Sequence, residues 1–222
     1  MTSEATRRLL LVDLAQDRVA RTWVTPQRTM HMVALSPDRK QAFATSIHEG
    51  NVGWFDLAAP EATAKAPTIV ACGEGSEGLA VNPATGEAWI GNRAANTVSI
   101  VDATTGKVTA ELPTGDFPFR ITFADGGNLA LVSCAEAGTV QVFDGRKKEL
   151  RQTLEISGDG SELSPMPMGI TVDPDSRFAY VACGRGEFVA VLDLQQQKVV
   201  DRIVARAGPD GIGYARAVTR RD

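Results

Sequence analysis

The chain has 222 residues, 43% hydrophobic and 23% charged, a globular composition that excludes a disordered chain. A net charge of -4, from 23 basic and 27 acidic residues, gives no broad attraction to a nucleic-acid backbone. No apolar run approaches the roughly 18 residues that would span a membrane, so neither nucleic acid nor a membrane is an expected partner.

The first apolar element, Arg8 to Leu14 (RLLLVDL), ends in Asp13, and its core of Leu9 to Val12 is too short for a signal peptide. As given, the chain reads as cytoplasmic. An exported or periplasmic protein is implied instead if the N-terminus is truncated. Further along, the same kind of run recurs as NVGWFDL, NTVSIVD, GTVQVFD and EFVAVLD, ending in Asp56, Asp102, Asp144 and Asp193 at spacings of 43, 46, 42 and 49 residues. Four residues before each aspartate stands an aliphatic: Leu9, Val52, Val98, Val140 or Val189. Ten residues before stands a small residue: Ser3, Ser46, Asn92, Cys134 or Cys183. The register therefore holds across a whole unit.

Other elements keep step with these runs. MVALSPD, GLAVNPATG, RITFADGG and GITVDPDS align on Val33, Leu79, Ile121 and Ile170, and GIGYARA places Ile212 in the same register. After each of the first four comes a turn and a short strand: QAFATS, EAWIGN, LALVSC and FAYVAC. The Asp-terminated run follows, then a last strand: ARTWVT, PTIVAC, VTAELP, RQTLEI or VVDRIV, counting from the first unit. These segments are β-branched and aromatic, divided by Gly, Pro, Asn and Asp, and none keeps a helical period. Four short antiparallel strands in a unit of about 44 residues make a propeller blade. The fold expected is an all-β propeller forming a single domain over residues 1–222. A lone four-stranded sheet cannot bury both faces, and stacking around an axis solves that. Gly78, Gly169 and Gly211 fit backbone crowding near the axis.

From Ile212 through the C-terminus and on from Met1 to Val33 is 43 residues, one period. This predicts five blades with a split closing blade, the C-terminus supplying its inner strand and the N-terminus its third and fourth. The second strand of that blade would fall across residues 219–222 and 1–3, where VTRRD and MTS are poor strand material. The alternative is a fragment of a six- to eight-bladed propeller. A closed ring implies a monomer. An open one exposes strand edges and favours a dimer.

The pattern resembles the YVTN-type β-propeller repeat. The matching residues are Pro167, Gly169, Ile170, Pro174 and Asp175, then Ala179, Tyr180 and Val181. Asn92, Asn96, Val98, Ile100, Val101 and Asp102, followed by Thr105, Gly106, Lys107 and Val108, carry the rest of the signature. Such repeats are similar to those of surface-layer-like, quinoprotein-like and haem d1-type propellers. The resemblance implies the fold over nearly the whole chain and little about activity.

Candidate sites follow from ring geometry. First strands begin at the face where second strands end, so side chains there converge at the channel mouth. Two residues before the inner-strand landmark lie His31, Glu77, Phe119, Met168 and Asp210, and Arg120 stands one before it. Second strands end near Asn92, His48, Arg93, Glu136 and Arg185. The ligand-binding candidates are His31, Glu77, Asn92, Arg93, Arg120, Asp210, His48 and Arg185, and Arg120 with Arg93 or Arg185 could clamp a carboxylate or phosphate. No catalytic residue is assigned. No cofactor is expected. The alternative is calcium or another divalent metal on Glu77, Asp210 and His31, or on Glu77, Asn92 and Asp210 in a lactonase-like hydrolase. No C-x-x-C-H haem attachment motif is present, which leaves only a remnant of a redox propeller as the other enzyme-derived reading.

GEGSEG at Gly73 to Gly78 spells a dinucleotide fingerprint, but a strand and turn follow where a helix is needed, so it reads as an inter-blade loop. The repeated aspartates read as turn formers. Cys72, Cys134 and Cys183 are odd in number and far apart, which speaks against a disulfide framework. The function expected is a binding or interaction scaffold for a protein or small molecule at the channel face.

Overall fold

A computed structural model describes residues 1–60, 65–156 and 163–215. It contains five antiparallel sheets, and among the described residues the only helical element is a 3-10 turn at Asp125–Gly127. Sheet one is β1 (Thr2–Ser3), β2 (Arg8–Asp13) and β3 (Arg18–Val24). Sheet two is β4 (Met30–Leu35), β5 (Gln41–Ser46), β6 (Asn51–Asp56) and β7 (Thr68–Ala71). Sheet three is β8 (Ser76–Val81), β9 (Ala88–Asn92), β10 (Thr97–Asp102) and β11 (Lys107–Pro113). Sheet four is β12 (Pro118–Ala124), β13 (Leu129–Cys134), β14 (Thr139–Asp144) and β15 (Leu150–Glu155). Sheet five is β16 (Pro167–Val172), β17 (Phe178–Cys183), β18 (Phe188–Asp193) and β19 (Lys198–Val204).

Each sheet is a simple meander in chain order. The first strands β4, β8, β12 and β16 lie side by side, while the outermost strands of neighbouring sheets hardly meet. Sheets that converge at one edge and splay at the other are blades around an axis, so the chain folds as a β-propeller.

Four apolar clusters lie between consecutive sheets. Leu9 and Trp23 meet Met30, Ala42, Ala44 and Phe55 between sheets one and two. Phe43, Val52 and Val70 face Leu79, Ala88 and Ile90 at the next interface. Trp89, Val98 and Ile100 face Ile121, Ala130, Val132 and Phe143 at the third. Leu131, Val140 and Leu154 face Ala179, Val181 and Leu192 at the fourth. The tryptophans act as spacers here: Trp23 meets Phe55 edge-on at 6.4 Å, and Trp89 meets Phe123 and Phe143 at 5.5 and 6.2 Å.

A polar latch repeats across three of these seams. Thr2, Thr45 and Ser133 each donate a hydroxyl hydrogen bond to a first-strand carbonyl of the next sheet, that of His31 (2.7 Å), Glu77 (2.9 Å) and Met168 (2.7 Å). A further staple joins sheets three and four. Buried Asn82 donates through Nδ2 to the carbonyls of Gly127 and Gly145, at 3.1 and 2.9 Å, while its Oδ1 accepts from the Ala84 amide at 2.8 Å.

The five aspartates do what turn formers do. Asp13, Asp56, Asp102, Asp144 and Asp193 each accept, on Oδ1, the amides two and three residues ahead. The Arg151 side chain and two turn amides hold the Asp144 carboxyl far below the usual range, and the amides of Thr105 and Gln196 lower those of Asp102 and Asp193. A folded-state value below the unfolded one means that the ionised form stabilises the fold. This contribution is complete above the unfolded value of about 4 and is lost as pH falls through the folded values. Denaturant midpoints should therefore be flat from neutral pH down to about 5 and fall below about 4, with Asp144→Asn flattening part of that fall.

The split closing blade expected from the register is not formed among the described residues: no ladder joins residues 209–215 to sheet one. β1 is a two-residue second strand that pairs with β2, and among the described residues sheet one has no first strand. Residues 209–215 lie where the next first strand belongs. The Asp210 carbonyl accepts the Gly169 amide at 3.1 Å and lies against the place a Gly169 Cβ would occupy, as the Phe119 carbonyl lies 2.8 Å from that of Gly78. A Gly211 Cβ would meet nothing within 4 Å, so crowding explains Gly78 and Gly169 but not Gly211. The remaining part of the expected second strand, residues 219–222, lies outside the described residues. The outer face of sheet five is correspondingly open: Ile203 is 50% exposed, where its equivalents Trp23, Val70 and Leu154 are buried.

Candidate functional site

The channel-mouth site starts from a backbone irregularity. Between β8 and β9 the register jumps from Ser76–Asn92 to Gly78–Gly91, leaving Glu77 as the extra residue of a bulge. The same jump places His31 and Met32 in β4, Phe119 in β12, and Met168 and Gly169 in β16. A bulge releases a residue from strict alternation and re-aims its side chain. In this way residues of different sheets come to one rim.

Glu77 is the centre of what they build. Its carboxylate is 4% exposed. The Oε1 oxygen lies 3.2 Å from His31 Nε2 and 3.3 Å from Arg120 Nη1, and Oε2 accepts from Arg93 Nη1. Sheets two, three and four thus meet on one carboxylate. Arg120 Nη1 also donates to the Phe119 carbonyl at 3.1 Å, and its guanidinium lies 4.0 Å from the Phe119 ring centroid. The Arg93 guanidinium lies 5.1 Å over the Phe117 ring, which stacks on Phe119 at 6.1 Å. The exposed Glu4 of sheet one approaches His31 Nδ1 to 3.7 Å.

Phe117 is held in an unusual backbone state. Its φ is +63°, costly for a bulky side chain, and the equivalent positions before β8 and β16, Gly75 at +75° and Met166 at +57°, share this left-handed turn. The Phe117 amide donates to Asn96 Oδ1 and its carbonyl accepts the Ala135 amide, both at 2.9 Å. The ring that backs Arg93 is therefore fixed from both sides.

Of the eight residues predicted for this face, the structure brings four together: His31, Glu77, Arg93 and Arg120. Asn92 is fully buried, donating to Thr97 and Ser99 at 3.0 and 2.8 Å and accepting from Ser76 at 2.9 Å, so its amide is committed to the blade interior. Asp210 is exposed, and its part is the backbone bond to Gly169. Arg185 donates to the Ser164 carbonyl at 2.9 Å and lies 4.0 Å from Glu136. Exposed His48 sits in a separate open groove with Pro26, Arg28, Thr29 and Glu49. Among the described residues, no three His, Cys, Asp or Glu side chains gather in metal-binding geometry, and Glu77 faces two guanidiniums.

Phe117 escapes prediction because it stands outside the aligned landmarks. The available signal is an aromatic residue before Pro118 where the neighbouring unit has Gly75. Gly73 to Gly78 forms a turn leading into β8, with no helix following. Burial raises the thiols, Cys72 to about 12 and Cys134 and Cys183 to about 11, and none of the three is in a disulfide.

No known family profile matches the chain, and no curated protein is significantly similar to it in sequence. The solved structures it is similar to include hydrazine synthase from Kuenenia stuttgartiensis, with a TM-score of 0.70 and 21% identity, over 84% of this chain and 52% of that one. A functionally unknown protein from Desulfotomaculum acetoxidans DSM 771 aligns with a TM-score of 0.79 and 17% identity, over 97% of this chain and 68% of that one. The likeness is one of fold. The chain spans about half the length of the hydrazine synthase chain. No helix among the described residues is long and apolar enough to cross a membrane.

Proposed function

We propose that this propeller is a binding scaffold that presents the His31–Glu77–Arg93–Arg120 rim to a partner molecule. The observation that carries the reading is the convergence of side chains from three blades on one buried carboxylate, with the basic groups still partly open to solvent. The chain supplies recognition elements at this rim: fixed charges, aromatic backing and bulged strands that aim them.

The test is a thermal-shift screen of nucleotides, sugar phosphates, di- and tricarboxylates, polyamines and neutral sugars. It compares the wild type with Arg120→Ala and with Arg146→Ala, a surface change remote from the rim. At least one class should raise the melting temperature of the wild type and of Arg146→Ala but not of Arg120→Ala. If no class behaves in this way, the rim is not a binding site.

A further inference from the structure

We infer that the rim binds an anion, a carboxylate or a phosphate group, in the fork between Arg93 and Arg120. This deepens the scaffold reading above and rests on it.

Both arginines keep spare donors. A guanidinium offers five N–H donors, and each one here places only Nη1 on Glu77. Arg120 spends a further bond, also from Nη1, on the Phe119 carbonyl. The Nε and Nη2 groups of both arginines donate to no acceptor among the described residues. Charge points the same way. Two guanidiniums share one buried carboxylate, leaving an excess of one positive charge on the forks, and Glu4 approaches His31 instead. The forks remain reachable: the Arg93, Arg120 and His31 side chains are 33%, 21% and 37% exposed.

Each guanidinium is backed by an aromatic ring, Arg93 by Phe117 and Arg120 by Phe119. A face-stacked guanidinium keeps its edge free, and the edge carries the paired donors that fit a carboxylate or phosphate. One of those rings stands on a left-handed backbone that two hydrogen bonds maintain. Glu77 acts here as an internal competitor: it holds both cations in place and occupies one donor of each.

That competition gives the test its sign. Binding of inorganic phosphate, pyrophosphate and citrate is measured by isothermal titration calorimetry at low ionic strength. Arg93→Ala and Arg120→Ala should each weaken the best anion by about 10-fold or more. Arg120→Lys, which keeps the charge and loses the fork, should fall between them and the wild type. Glu77→Gln, which leaves a neutral acceptor of the same shape, should tighten binding several-fold. Melting curves verify that each variant is folded; if Glu77→Gln is not, the order wild type, Lys, Ala at position 120 decides alone. Phosphates and citrate separate the two anion chemistries. If only neutral sugars or polyamines bind in an Arg120-dependent way, the anion inference fails and the scaffold reading stands. If nothing bound depends on the rim, both fail. If Glu77→Gln is folded and weakens the anion as the alanine variants do, Glu77 is not a competitor and the inference is overturned.

Discussion

Val98→Asp is expected to destabilise the protein by about 4 kcal/mol, read as a lower denaturant midpoint at unchanged slope. Val98 is fully buried on β10, in the cluster that joins sheets three and four. Losing its apolar contact costs about 2 kcal/mol, and placing a carboxyl among Trp89, Val132 and Phe143 adds a comparable amount. The new carboxyl has a folded value raised by burial, so the deficit relative to wild type should shrink as pH falls towards 4 and grow above it. Val98→Thr, close in shape and uncharged, should cost clearly less. Equal losses for the two variants would mean that this position is not a dry inter-sheet contact.

The second large effect belongs to Asn82→Ala, for which we expect a loss of about 3 kcal/mol. Its amide donates to the Gly127 and Gly145 carbonyls, in two turns of the neighbouring sheet. Truncation leaves both carbonyls without that donor and releases the Ala84 amide as well. Gly127, at φ +97°, sits where a Cβ would collide with Asn82 Oδ1, so the surrounding backbone is shaped around this one side chain. Asn82→Asp, which keeps the size but replaces the donor with a second acceptor, should be at least as damaging. A near-neutral melt for either variant would show that the turns hold themselves.

The repeat was readable because a propeller asks the same thing of every unit. QAFATS, LALVSC and FAYVAC coincide with β5, β13 and β17, since a second strand buried on both sides tolerates little besides small and β-branched residues. The shared position before each inner-strand landmark was readable for the same reason. What one residue does there was not. Glu77 and Asp210 occupy equivalent places, yet only Glu77 has neighbouring sheets on both sides to bring it a histidine and two arginines. Asn92 looked like a rim residue because it ends a second strand. The strand's last side chain turns into the blade, where Ser76, Thr97 and Ser99 satisfy it. Bulges and positive backbone angles decide these directions, and neither leaves a periodic trace in the letters.

The hydroxyl latches from Thr2, Thr45 and Ser133 carry one more implication. Each ends on the carbonyl of the residue whose side chain faces the channel mouth, so Thr45 fastens the backbone of Glu77 itself and Thr2 that of His31. At these three seams a bond between neighbouring blades and the backbone that aims a rim group are thus the same. Any slippage of one blade against the next would retune the mouth's charge pattern directly, with no intervening relay.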